Sequence, residues 1–386
     1  MNKSFFRKIV RFLCEPFVFA VTFPIGRIKY HGHKIYLISE RGTEARDNGY
    51  HLFKYFREQH PEKECYYVIS GNSPDREKVE RYGNIVRYRS LQHYLLFAAA
   101  EYKISTHIWG CSPNTPFYTR VFHYLPHWGK LISIKHGITK DDLIGLYAEN
   151  AKLDLLISGA KPEYDIFRTD FHYTDRTVQY TGFARFDNLF DSEVKKQVLI
   201  MPTFRRYLVR VSESTIRQSK YVQTWNALLN NAKLISKIKE MGVIILFYPH
   251  YEIQPYLDLF HSHSDSVVIA DFAHYDVQEL LKESAFLITD YSSVYFDFAY
   301  MNKPCAYYQF DKDEYFAKHY KKGYFHYDTM GFGPVIENEE DLVDYIIEML
   351  QENFAQPAKY EARINGFFPL RDNHNCERIY DAIERL

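Results

Sequence analysis

The chain has 386 residues and balances 48 Lys and Arg against 49 Asp and Glu, for a formal charge of −1. That length exceeds one ordinary core and predicts two domains, and the balanced charge excludes the basic footprint of a nucleic-acid binder. Charged residues at 25% and hydrophobic ones at 46% suit a soluble globular protein. The surplus is aromatic, 34 Tyr and 30 Phe, which can line sugar or base pockets but mostly fill cores.

Residues 1–30 form the first predicted segment. Lys3, Arg7, Lys8, Arg11, Arg27 and Lys29 accompany Phe5, Phe6, Ile9, Val10, Phe12 and Leu13. The longest apolar run, Pro16 to Ile25, falls well short of the ~20 residues that span a bilayer. Basic residues follow it and no small-x-small site does, which argues against a cleaved signal peptide. The segment reads as an amphipathic basic anchor for an anionic inner leaflet, with a helix packed on the protein body as the alternative.

From residue 31 to 190 apolar strands alternate with helices. Strands are predicted at 34–39, 65–70, 85–87, 102–105, 131–135, 153–158 and 178–181, with helices at 47–57, 74–81 and 91–100. A second series begins at Val198, with strands at 198–204, 243–250, 267–270, 286–289 and 305–308. One long helix is predicted over Lys220 to Met241, a shorter one over Val277 to Glu283, and three more at 340–352, 358–365 and 377–386. The pattern predicts an α/β protein of two domains, 31–190 and 191–386, joined near 188–197 and enclosing a cleft. The last helix is expected to cross back onto the first domain.

Four polar clusters follow predicted strands, at the edge where parallel sheets bind ligands. The first contains His136 and Gly137; a histidine there can act as a general base near neutral pH. The second, MPTFRR, supplies Thr203 as a hydroxyl donor and Arg205 and Arg206 as bidentate phosphate ligands. The third carries His250. The fourth, TDYSS, places Asp290, Ser292 and Ser293 where a helix opens, and free amides, helix dipole and hydroxyls together suit a phosphate. Taken singly, each reads more readily as a structural group: Asp290 or Ser292 as an N-cap, a strand-end histidine as structural, the arginines as surface charges.

Cys14, Cys65, Cys111, Cys305 and Cys376 are odd in number and form no CxxC pair, so neither a disulfide framework nor a zinc site is expected. His31, His33, His261 and His263 read as surface or satisfied histidines. No Asp-x-Asp metal site is recognised, and no cofactor or metal is expected.

These motifs resemble the CDP-glycerol glycerophosphotransferases, the teichoic acid primase and polymerase family. The resemblance runs from about Lys34 to about Ile336. Its most specific part is ITDYSSVYFDFAYMNKPCAYYQFDKDEY followed by KGYFHYDTMGFGPV (322–335). GFARFD (182–187) stands for the family's G-x-P-R-x-D, Pro202 to Arg205 for its PTWR, and Lys135 to Ile138 for its WHGT box. His250 followed by Tyr251 stands for the second histidine motif, and Lys140 is offset from the family's lysine.

The resemblance implies a GT-B-like fold, two Rossmann-like domains facing a cleft, with monotopic attachment at the cytoplasmic face of the membrane. It implies transfer of glycerol phosphate from CDP-glycerol to a membrane-linked or polymeric acceptor, with release of CMP, in teichoic acid or capsular polymer synthesis. His136 would be the general base. His250, Thr203 and Arg205 would hold the pyrophosphate, and Ser292 and Ser293 the phosphates. Asp290 would cap the helix or meet a ribose hydroxyl. Three alternatives are a CDP-ribitol-dependent transferase, a GT-B glycosyltransferase using a nucleotide sugar, and a non-enzymatic module of a wall-assembly complex.

Overall fold

The computed structural model describes residues 3–121, 128–190, 192–318 and 323–386, with side chains from residue 12 onward. Lys3 to Arg11 of the predicted anchor therefore lack described side chains, and Lys322 of the signature lies outside the described residues. The chain divides into two compact units. Unit 1 comprises Met1–Ile138, Ile144–Asp187 and Asp372–Leu386; unit 2 comprises Thr139–Leu143 and Asn188–Arg371.

Unit 1 holds seven parallel strands: β1 (Ile35–Ser39), β2 (Glu64–Ile69), β3 (Ile85–Arg87), β4 (Tyr102–Ser105), β5 (Lys130–Ser133), β6 (Leu155–Ser158) and β7 (Val178–Tyr180), in the order β3-β2-β1-β4-β5-β6-β7. Unit 2 holds six: β8 (Lys195–Met201), β9 (Ile244–Phe247), β10 (Val267–Ile269), β11 (Ser284–Thr289), β12 (Cys305–Tyr308) and β13 (Val335–Ile336), in the order β10-β9-β8-β11-β12-β13, all parallel. Their centres are near-continuous apolar runs because helices cover both faces. β1 and β11 are buried at every position.

Counted from its own first strand, each sheet begins 3-2-1-4-5-6, the doubly wound order of dinucleotide-binding folds. The strand order reverses between β1 and β4 in unit 1, and between β8 and β11 in unit 2. Loops leaving the carboxyl ends of those strands are where such sheets leave a crevice for ligands. Every candidate site residue lies in a loop at a carboxyl edge.

The structure adds helices that were not expected, such as Lys161–Thr169, and departs from the sequence expectation in two further elements of unit 2. The long helix predicted over Lys220 to Met241 is two helices, Lys220–Leu229 and Ala232–Met241. Asn231 breaks it, since its side chain accepts from Leu234 N and starts the second helix, while Asn230 Nδ2 reaches His261 O at 2.9 Å. β13, two residues long, was too short to be seen in the sequence pattern.

The N-terminal segment is one helix, α1 (Lys3–Lys29). It docks on the helix Leu91–Ala99, where Gly26 comes so close that an added Cβ would lie 2.4 Å from Leu95 O. Phe19 packs against Tyr94, Phe97 and Phe117, and buried Tyr94 Oη donates to Glu15 Oε1 at 2.7 Å. The opposite face leaves Leu13, Phe17, Val21, Ile25 and Ile28 exposed, Phe17 by 76% and Ile28 by 78%. Their spacing of four, four, four and three places them on one apolar ridge. The packed helix weighed from the sequence is thus what one face of α1 forms, and the other face carries the exposed ridge. No helix among the described residues is long and apolar enough to cross a membrane.

Candidate active site

At the edge of unit 1, β5 ends at Ser133 and the chain turns through Lys135, whose φ of 50° places it in the left-handed region. Three groups hold this turn. The buried Lys135 ammonium pairs with buried Glu163 at 3.0 Å. Asn48, the first residue of the helix α2 (Asn48–Gln59), donates its amide to Lys135 O at 2.7 Å and to Ile134 O at 3.3 Å. Arg185 Nη1 donates to His136 O at 2.9 Å and to Asp47 Oδ1 at 3.0 Å, and Arg185 N donates to Asn48 Oδ1. The backbone of His136 is therefore fixed from α2 and from the GFARFD loop.

The His136 side chain is exposed and lies flat on His107, ring centroids 4.9 Å apart and planes 6° from parallel. Desolvation by the surrounding chain, then the neighbouring His107, Lys135, Arg185 and Arg41, lower its pKa to about 3. The residue's exposure argues for a smaller shift in the same direction. Either way the imidazole is neutral at pH 7 and free to accept a proton.

At the edge of unit 2, Thr203 follows β8 and Asp290 follows β11, the two strands that flank the reversal. Thr203 is buried, and its Oγ1 has no hydrogen-bond partner among the described residues. An unmet hydroxyl costs about 1–3 kcal/mol, which makes this atom a candidate ligand contact. Ser292 is half-buried and Ser293 exposed. The helix after them, Val294–Tyr300, has seven residues, with Ser293 at its N-cap and no side-chain capping bond. His250 stacks on Phe204 at 4.6 Å. Its Nδ1 accepts from Glu252 N at 3.3 Å, so the neutral ring carries its proton on Nε2. Desolvation lowers its pKa to about 4.

Two expected ligands have other work. Arg205 was expected to face donor phosphates; instead it is 0% exposed, with Nε and Nη2 donating to Asp311 at 2.6 and 3.0 Å and Nη1 to Asp290 Oδ2 at 2.8 Å. Nη1 also donates to Thr203 O at 2.7 Å. A guanidinium enclosed by two carboxylates has no net positive charge left to offer a phosphate. Asp290, expected to cap the helix or meet a ribose, is equally buried and accepts from Thr203 N at 2.8 Å and Tyr291 N at 2.6 Å besides Arg205. Arg205 and Asp290 therefore shape the loop that presents Thr203. Arg206 is the exposed cation of the pair.

The Asp-x-Asp spacing at Asp311 and Asp313 escaped the sequence reading, and Asp311 is spent on Arg205. Among the described residues no three His, Cys, Asp or Glu are grouped to hold a metal. Lys140 belongs to unit 2 and pairs with Asp141 at 3.0 Å. Sequence reasoning also missed His107, Asn48 and Arg185. His107 follows an apolar strand as His136 does, and that shared pattern was the available signal.

A family profile described as CDP-Glycerol:Poly(glycerophosphate) glycerophosphotransferase matches residues 22–385. The minor teichoic acid biosynthesis protein GgaB of Bacillus subtilis (strain 168) is 37% identical over 370 residues, covering 91% of this chain and 40% of that protein. The teichoic acid poly(glycerol phosphate) polymerase of the same strain is 24% identical over 368 residues, covering 89% of this chain and 48% of that protein. The chain spans less than half the length of these two relatives. The solved wall teichoic acid polymerase TagF superposes with a TM-score of 0.69 at 18% identity, covering 100% of both chains. A putative UDP-N-acetylglucosamine 2-epimerase from Listeria monocytogenes superposes at 0.54 with 14% identity, covering 91% of this chain and 96% of that one. Those likenesses carry the fold, which is α/β and GT-B-like with two Rossmann-like units.

Proposed function

The chain belongs to the CDP-glycerol:poly(glycerophosphate) glycerophosphotransferase family, and on that premise we propose that it transfers glycerol phosphate from CDP-glycerol to a hydroxyl of a membrane-linked or polymeric acceptor. CMP is released, and the product is a teichoic acid or capsular polymer. The observation that carries this reading is His136: an exposed, neutral imidazole on a backbone held by Asn48, Arg185 and Lys135. The acceptor oxygen attacks the phosphorus next to glycerol, its proton passes to His136, and the bond from that phosphorus to the CMP oxygen breaks. In phosphoryl transfer most of the rate comes from positioning and charge stabilisation. Unit 2 is assigned the donor: Thr203 Oγ1, Ser292 and Ser293 as hydroxyl donors, and the Nε2 proton of His250 toward the pyrophosphate. Arg205 and Asp290 act on the donor by shaping the Thr203 loop.

Steady-state CMP release is the test. His136→Ala is expected to lose about 100-fold or more in turnover with CDP-glycerol. Near-parental turnover would remove His136 from the chemistry. The same assay run with CDP-ribitol and with UDP-, GDP- and CMP-sugars would expose a different donor class. No metal or cofactor is invoked, so turnover is expected to survive exhaustive chelation; loss restored by Mg2+ would refute that.

The apolar ridge of α1 supports peripheral attachment to the cytoplasmic face of the membrane. Five exposed apolar side chains lie along it, with Arg27 over the exposed Trp128 ring at 3.4 Å. Phe17→Glu with Ile28→Glu is expected to abolish sedimentation with anionic vesicles while leaving the melting temperature unchanged. Binding that persists would place the membrane contact elsewhere.

A further inference from the structure

We propose that His107 is the positioning residue of His136: a second imidazole, locked neutral by Arg41, whose flat face orients the base and receives it when it becomes a cation. The proposal rests on the reading of His136 as the general base and adds a residue to it.

The juxtaposition comes from the sheet. β4 and β5 are neighbours, with Ser105 opposite Ser133. His107 leaves the first strand end and His136 the second, and their rings meet in parallel at 4.9 Å and 6°. The tautomer of His107 follows from its partners. Arg41 Nε lies 3.1 Å from His107 Nε2. Guanidinium nitrogens only donate, so Nε2 is the acceptor and the ring proton sits on Nδ1, 3.0 Å from Thr106 Oγ1. Protonating Nε2 would break the Arg41 bond and set two cations side by side.

The charged groups acting on the stack point the same way. Burial and Arg41 lower the pKa of His107, and His136 feels Lys135, Arg185 and Arg41 besides His107. Lys135 is paired with Glu163 and Arg185 with Asp47. A neutral ring stacked on the base sets no second charge against the imidazolium that forms. It also restrains rotation of His136, which the groups holding its backbone do not.

Three variants and one control test this, read as kcat, KM for CDP-glycerol and the pH profile of kcat/KM. His107→Ala is expected to lower kcat about tenfold or more with KM unchanged. Water then reaches His136, its pKa rises toward the ordinary value of about 6.5, and the acid limb moves to higher pH. His107→Phe keeps a flat neutral face and is expected to stay within about threefold of the parent, with its acid limb in place. Arg41→Met frees Nε2 of His107 to take a proton beside His136, so kcat/KM is expected to fall more steeply below about pH 6.5. The proposal is overturned if His107→Ala leaves kcat and the acid limb as in the parent, or if His107→Phe loses as much as His107→Ala at an unchanged melting temperature. Should His107→Ala not fold, an Arg41→Met profile matching the parent overturns it as well. The control is His136→Ala: if it keeps turnover, the base assignment itself fails, whereas its loss beside an unaffected His107→Ala sinks only the role of His107.

Discussion

Both units wind their first six strands in the same order, which reverses between the first and fourth, yet they fill the carboxyl edge in opposite ways. In unit 1 the edge is built of fixed rings. Asn48 and Arg185 take up the carbonyls of residues 134 to 136, and Arg41 sets the tautomer of the adjacent histidine. In unit 2 the charge is consumed internally, Arg205 between Asp290 and Asp311, and the buried hydroxyl of Thr203 is left without a partner. On the proposed assignment of base and donor site, the contrast follows from what each chemistry requires of one scaffold. On that assignment, a group that moves a proton has to be neutral and held in place, so the backbone beneath it is fixed. An edge that must bind has to keep donors open, so its strong charges are turned inward to hold the loops.

The widest way to break this comparison is through Arg205. Arg205→Met leaves two buried carboxylates unpaired and is expected to destabilise unit 2 by about 3–5 kcal/mol. Adding Asp311→Asn should recover part of that loss, since the buried charges then fall from two to one. Denaturant unfolding of the three proteins measures it. If Arg205→Met keeps parental stability but loses affinity for CDP-glycerol, Arg205 is a ligand after all.

Acid should separate the units next. His93 of unit 1 is wholly buried; its Nδ1 accepts from Arg89 N at 3.0 Å, so its Nε2 donates to Cys111 O at 2.8 Å. Burial lowers its pKa to about 4. The unfolded chain therefore binds this proton more readily than the folded one between about pH 6.5 and 4. Stability from this residue is full above about 6.5 and falls as pH drops through that window, by about 3 kcal/mol at its end. His93→Gln offers a donor and an acceptor but no titration, so urea midpoints at pH 7 and 4.5 should differ less in the variant. Equal differences would show that His93 does not govern the acid response.

How far the sequence could be read follows from the range of the forces involved. Strands such as β1 and β11 were legible because burial on both faces leaves an unbroken apolar run. The positions of His136, Thr203 and Ser292 at strand ends followed from the same pattern. Arg205 was misread because its partners, Asp290 and Asp311, lie 85 and 106 residues away, and a charge in a sequence carries no sign of its neighbours. The helix break at Asn231 was a local signal, an N-cap residue inside an otherwise helical run, overridden by apolar periodicity on either side. His107 went unnoticed because what distinguishes it is its contact with His136 and Arg41, which only the register of β4 against β5 brings about.

The finest test concerns the single oxygen of Thr203. Val has nearly the shape of Thr and lacks only the hydroxyl. Were Oγ1 engaged in the fold, Thr203→Val would forfeit a hydrogen bond and cost about 1 kcal/mol. Because Oγ1 is buried and unpartnered, the substitution should leave stability unchanged or raise it slightly. If that oxygen donates to a donor phosphate, affinity for CDP-glycerol should drop about tenfold, the effect of one hydrogen bond to a charged group. Calorimetric titration alongside a melting curve resolves the two contributions. A variant that melts lower and binds CDP-glycerol as tightly as the parent would make Thr203 a packing residue, and the open edge of unit 2 would then rest on Ser292, Ser293 and His250.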